Sequence, residues 1–233
     1  MEFRIYPKNL YLSLMAVAAL LAIAHICAMI ARYIIGDDFV FGLVDMFDLN
    51  LENNVPTVFS TFILLTSAIL LTIISRHARA IKHNARYWMW LAIIFIFLSV
   101  DENASLHELF IDPIQEILPS GGIMYVGWLI PYGLVTLVIG LLYLRFLWSL
   151  PARTRNLFIL SGSLYISGAI GFELLGGWYL LPRNEIEDFP YSMIVMAEEF
   201  LEMSGIILFI YALLDYLKNQ LGNKPVQITI TES

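Results

Sequence analysis

Six apolar runs of about 20 residues, at 10–31, 55–75, 87–106, 124–147, 157–181 and 192–217, constrain this chain more than any other feature. Each is long enough to cross about 30 Å of hydrocarbon as a helix rising about 1.5 Å per residue. No water reaches the hydrocarbon, so backbone groups there must bond within their own segment, and a run of this length satisfies them as an α-helix. Membrane barrels show about ten-residue alternating segments instead, a pattern missing here. Composition agrees: 59% of residues are hydrophobic and 14% charged, against roughly 45–50% and 25% in soluble domains. The expected fold is all-α, a polytopic membrane protein with a single six-transmembrane-helix bundle over 1–233 and a polar, mobile tail at 222–233. A lone cysteine, Cys27, excludes a disulfide scaffold, and a net charge of −7 argues against nucleic acid as a partner. The first run exceeds the 7–15 residues of a signal-peptide core, so it reads as a retained helix.

Positively charged short loops stay on the cytoplasmic side. Arg4 and Lys8 precede the first run. Arg76, Arg79, Lys82 and Arg86 join the second to the third; Arg145, Arg153 and Arg155 surround the next such turn; Lys218 and Lys224 follow the last. The opposite loops are acidic, with Asp37, Asp38, Asp45, Asp48 and Glu52 in the first, Glu108, Asp112 and Glu116 in the second, and Glu185, Glu187 and Asp188 in the third. Both termini are therefore expected in the cytoplasm and the chain in an inner membrane. Trp88, Trp90 and Trp148 fall at the expected inner boundary and Trp128 and Trp178 near the outer one, as amphipathic indoles prefer. The basic 76–86 loop is suited to anionic lipid. The 33–54 loop mixes Phe39, Phe41, Leu43 and Met46 with acids, as a segment lying at the outer interface would.

Ionisable side chains inside a membrane cost roughly 2.5–3.5 kcal/mol each on insertion scales, so those retained usually face the bundle interior and have a task. Asp101 and Glu102 fall in the third run, Glu173 in the fifth, and Glu198, Glu199 and Glu202 in the sixth; His107 and Glu108 follow Asp101, and His25 lies in the first. The alternating direction of the helices brings these positions to one depth in the outer half. Asp101, Ser105 and Glu108 fall within about 60° of arc and Glu198 and Glu202 within about 40°, so each helix presents a stripe. Glu102 and Glu199 lie off those stripes. Pro131 frees a carbonyl at the same level. Small residues at 162, 163, 167, 169, 171 and 176 suit close helix contact and make the fifth helix the expected centre of the bundle.

Clustered acids at low dielectric cannot all stay ionised: some retain protons at neutral pH, or a cation supplies the charge. Asp101, Glu102, Glu173, Glu198, Glu202, His25, His107 and Glu108 form the candidate set. Mixed carboxylate and imidazole suits Fe, Mn or Zn, and glutamates from several helices are how di-iron bundles are built. The Glu-x-x-His spacing of such bundles is absent, because Glu102 and His107 are five apart. Simple packing remains an alternative for each: protonated acids bonding between helices, a satisfied core histidine at 25, boundary charges at 107 and 108. Asp48, Asn50 and Glu52 alternate as in a calcium loop but lack its glycine and following Glu. No nucleophile elbow, phosphate loop or His-Glu-x-x-His is present.

Glu52-Asn53-Asn54-Val55-Pro56-Thr57, Asp101-Glu102-Asn103-Ala104-Ser105-Leu106-His107-Glu108, and Glu198-Glu199 with Glu202-Met203-Ser204-Gly205 together resemble the blocks of an uncharacterised family of bacterial multi-pass integral membrane proteins. The resemblance covers most of the chain and implies no reaction or ligand. The three-histidine zinc set of the alkaline ceramidase type is absent. Three functions are open on the sequence: cation or proton binding in an outward-facing intramembrane cluster, serving transport or proton relay; a metal-dependent membrane enzyme acting on a lipid or quinone-like substrate; and an assembly subunit whose acids join helices. Oligomeric state is left open.

Overall fold

The computed structural model describes residues 2–80, 84–106, 109, 129–183, 186–220 and 226–229. Strand β1 (Glu2–Ile5) leads into α1 (Pro7–Ile30), which widens into a π-helical turn over Ala31–Ile35 and stops at Gly36. Gly36 adopts φ 80°, and the Asp37 amide returns to the Ala31 carbonyl at 3.0 Å, which closes the helix end. The short α2 (Leu43–Phe47) precedes the hairpin of α3 (Val55–Ala80) and α4 (Ala85–Ala104). Then come α5 (Leu129–Ser149) and α6 (Ala152–Ile166), a π-helical segment over Ser167–Phe172, α7 (Glu173–Leu180) and the long α8 (Phe189–Gln220). Strand β2 (Val226–Thr229) pairs antiparallel with β1, so both ends of the chain meet at one end of the bundle, here the terminal end. Of the 222–233 tail, residues 226–229 form this strand and the others lie outside the described residues.

Five helical segments are long and apolar enough to cross a membrane: Pro7–Ile35, Val55–Ala80, Ala85–Ala104, Leu129–Ser149 and Ala152–Arg183. Their outward faces are greasy, with Leu20, Ile69 and Leu142 all at least 60% exposed, as a bilayer solvent permits and water does not. The sixth long helix, α8, is the centre. It packs against α1, α3, α6, the π-helical segment and α7. The expectation that the fifth run is central gives way to this arrangement. The reason is size: the second half of α8 buries Ile206, Ile207, Ile210, Leu213 and Leu214 against every neighbour.

At the terminal end, Trp88 is buried among Phe146, Phe158 and Tyr216, with ring centroids 5.0–6.0 Å away. It is a core residue and not part of an interfacial belt; Trp90, Trp148 and Trp178 are exposed, and Trp128 lies outside the described residues. Arg153 pairs with Asp215 at 2.8 Å and meets the Tyr211 hydroxyl at 3.0 Å.

The opposite, loop end is tied by two matching caps. Asn54 accepts the Thr57 amide at 3.1 Å to start α3, and Asp188 accepts the Tyr191 amide at 3.0 Å to start α8. Each cap is followed two residues on by proline, where no N–H is required. The Asn54 amide also donates to the carbonyls of Asp48 at 2.6 Å and Leu51 at 2.8 Å, knotting the preceding loop. Asn54→Ala should therefore lower the thermal midpoint by the equivalent of about 1–2 kcal/mol, the upper range for losing a cap. Phe39 and Phe41 are 67% and 92% exposed beside this knot, and Asp37 accepts the amides of Phe39 and Val40, which holds its carboxyl below the usual aspartate range.

Candidate functional site

A cavity of about 1350 Å³ lies between α3, α4, α5, α6 with its π-helical continuation, and α8, roofed by residues 49–52. Seven acids line it: Glu52, Asp101, Glu102, Glu173, Glu198, Glu199 and Glu202. Among the described residues, no lysine, arginine or histidine lines it.

Local backbone choices deliver each acid. α4 ends at Ser105, which takes φ 49°, so Asp101 and Glu102 occupy its last turn at the loop end. The wide turn of the π-helical segment comes directly before Glu173, a distortion that is frequent at functional sites because it re-aims the residues that follow. Two glycines then press α8 onto this neighbour. A Cβ on Gly168 would stand 2.7 Å from the Glu198 carbonyl and 2.7 Å from the Glu202 side chain. A Cβ on Gly205 would stand 2.7 Å from the Tyr165 amide and 2.8 Å from the Ser161 carbonyl. Only bare backbone permits the approach that sets Glu198 and Glu202 beside Glu173. By contrast Gly162 and Gly171, which the sequence assigns to close packing, meet nothing within 4 Å.

The side chains interlock. Glu173 on α7 and Glu198 on α8 line the same cavity, and two carboxyl groups bond to each other only when one carries a proton. Glu199 shares that lining with Glu102, Glu173 and Glu52. Tyr132 donates its hydroxyl to Asp101 at 3.2 Å, and Tyr165 lines the same cavity as these acids. An array of this kind can hold protons, pass them between neighbouring carboxyls, or surrender them to a cation.

Of the residues singled out by sequence, Asp101, Glu102, Glu173, Glu198 and Glu202 share the cavity. His107 and Glu108 lie outside the described residues. His25 does not line the cavity. It is fully buried, its Nδ1 accepts the Leu49 amide at 3.0 Å, and its Nε2 donates to the Ser192 carbonyl at 3.1 Å. Both ring nitrogens are used, so this imidazole is a staple between α1, the roof segment and α8, and neither metal nor haem can draw on it without breaking a backbone bond. Asp48, 3.6 Å from Nδ1, is ion-paired to Arg32, which also reaches Asp45 at 2.6 Å. His25→Leu leaves the buried Leu49 amide without its acceptor and should cost about 1–3 kcal/mol, measurable as a lowered midpoint of unfolding.

Glu52, Glu199, Tyr132 and Tyr165 belong to the site but not to the sequence-based set. A stripe criterion misses Glu199 because it lies about 100° around α8 from Glu198, whereas a wide cavity accepts a broader arc. The sequence signal for Glu52 was its place just ahead of the Asn54-Val55-Pro56 helix start. Among the described residues, no group of three or more His, Cys, Asp or Glu is disposed to hold a metal ion.

The family model described as "Domain of unknown function (DUF8692)" matches residues 10–217, and the chain belongs to that family. No curated protein and no solved structure matches it.

Proposed function

We propose that this member of the DUF8692 family is a six-span inner-membrane protein that binds a cation or protons in an outward-facing carboxylate cavity, for transport or proton relay. The observation carrying this reading is the convergence of seven acids from α4, α7, α8 and the roof segment on one cavity whose described lining includes no basic side chain. At an effective dielectric near 20, two unit charges 4 Å apart repel by about 4 kcal/mol, so the array is stable only when protons or cations compensate it. The pairing of β1 with β2 places both termini together, which supports an even number of spans with α8 as the sixth. Arg76, Arg79 and Arg86 at that same end support a cytoplasmic assignment for it, facing anionic headgroups.

The test uses the full chain in nanodiscs, titrated in turn with Na⁺, Mn²⁺ and Zn²⁺ while a pH-indicator dye follows released protons. The expected result is saturable binding of at least one cation accompanied by proton release, because the cation replaces protons held by the acids. Glu198→Gln and Glu202→Gln keep shape and hydrogen bonding and should abolish both signals. Unchanged binding and proton release in those variants would overturn the proposal. Tyr132→Phe, which removes the hydroxyl on Asp101, is expected to shift the pH dependence of binding while leaving its stoichiometry intact.

A further inference from the structure

The cavity is far longer than a cation needs. Along α4 its lining runs from Glu102 down to Trp90, 12 residues or about 18 Å, and along α5 from Tyr132 to Leu147, about 22 Å. Beyond Leu129 and Pro131 in its first turn, the α5 contribution falls at 132, 135, 136, 139, 140, 143, 146 and 147, a single helical face. All seven acids gather toward the loop end, and below them the walls are mostly apolar, with Ile94, Phe95, Val135, Ile139, Phe158 and Phe209 beside the hydroxyls of Thr136, Tyr143 and Ser161. The helix that closes this side is held to α4 by long side chains, Phe146 against Trp88 and the Tyr143 hydroxyl on the Tyr87 carbonyl. Among the described residues, its backbone is not in extensive contact with its neighbours. The result is a slot running parallel to the helices, negative at one end and greasy along the rest.

Resting on the cation reading above, we infer that the ligand is a single-chain amphiphile with a cationic amine head. The head sits among Glu173, Glu198, Glu199 and Glu202, and the chain lies between α4, α5 and α6. Charge complementarity selects the amine over a fatty acid of the same length, which would bring a like charge to the acids. The apolar slot selects a long chain over a short one, since each buried methylene adds to binding. A quinone-like ring or a bare inorganic ion uses only one end of the slot.

Gly140 and Gly162 make the inference testable. Both line the cavity, and a Cβ on either meets nothing within 4 Å, so Gly140→Leu and Gly162→Leu start their side chains in open space and narrow the slot and replace glycine with a better helix former. The probe is a diazirine-bearing hexadecylamine, photolysed with the full chain in zwitterionic nanodiscs and competed with unlabelled hexadecylamine, palmitic acid, hexadecanol or propylamine. The expected label falls on 132–147 and 158–170. Hexadecylamine should compete at least 100-fold better than propylamine and at least 10-fold better than palmitic acid or hexadecanol, which control for partition into the bilayer. Gly140→Leu and Gly162→Leu should each reduce labelling at least tenfold while leaving the proton release induced by inorganic cations unchanged. Equal competition by propylamine or palmitic acid, or full labelling of the filled variants, overturns the amphiphile while proton release still reports on the cation site. Loss of proton release in the wild-type chain overturns the reading beneath it.

Discussion

Gly205→Leu is expected to abolish the folded bundle, and Gly205→Ala to lower its unfolding midpoint. The atoms met by a Cβ at this position, the Tyr165 amide and the Ser161 carbonyl, are backbone. They cannot turn aside as a flexible side chain would. Either α8 retreats from α6 or the π-helical segment shifts, and adding a methyl to so tight a contact costs about 1–3 kcal/mol, with more for each further carbon. Gly168→Ala should behave similarly, because its Cβ would meet the Glu198 carbonyl. The control is Gly162→Ala on the same helix. There the space is open and alanine is favoured over glycine by about 1 kcal/mol in a helix, so the midpoint should rise. Unfolding in mixed micelles followed by circular dichroism measures all three. A destabilised Gly162→Ala together with a neutral Gly205→Ala would contradict the assigned crossing of α6 and α8.

Neutralising the acids should have the opposite effect on stability. In a Glu199→Gln, Glu202→Gln double variant the shape of the cavity is kept while two of its seven carboxyl groups become amides. At neutral pH, in the absence of added cation, the midpoint should increase, because clustered acids must either take up protons on folding or repel one another, and the amides do neither. The same variant should lose the stabilisation that bound cation confers, about 2.7 kcal/mol at 100 times Kd. A more stable protein without ligand response is the signature of a site maintained for function at the expense of the fold. A double variant that is less stable than wild type and still responds to cation would mean that the acids act as helix-to-helix contacts.

Most of the architecture was legible along the chain. Runs of 20 apolar residues leave the backbone one solution, and each described helix lies over its run, extended by one to five residues at most described ends. The acids were legible for a similar reason: charge inside an apolar run is costly enough to be conspicuous. The site's wider membership was not. Glu52 lies outside any run, Glu199 lies off the stripe, and the tyrosines at 132 and 165 look like ordinary apolar filling until the helices are assembled.

Sequence alone determined the helices, their approximate limits and the meeting of Asp101, Glu173, Glu198 and Glu202 around one cavity, because those follow from hydrophobic length and from the alternating direction of successive long helices. Tertiary structure decided which helix stands in the middle, that Gly168 and Gly205 rather than Gly162 and Gly171 make the close crossing, and that His25 serves the backbone and not the cavity. These depend on the rotation of each helix about its axis and on which backbone groups are left to be satisfied. Both are settled only when all the neighbours pack at once.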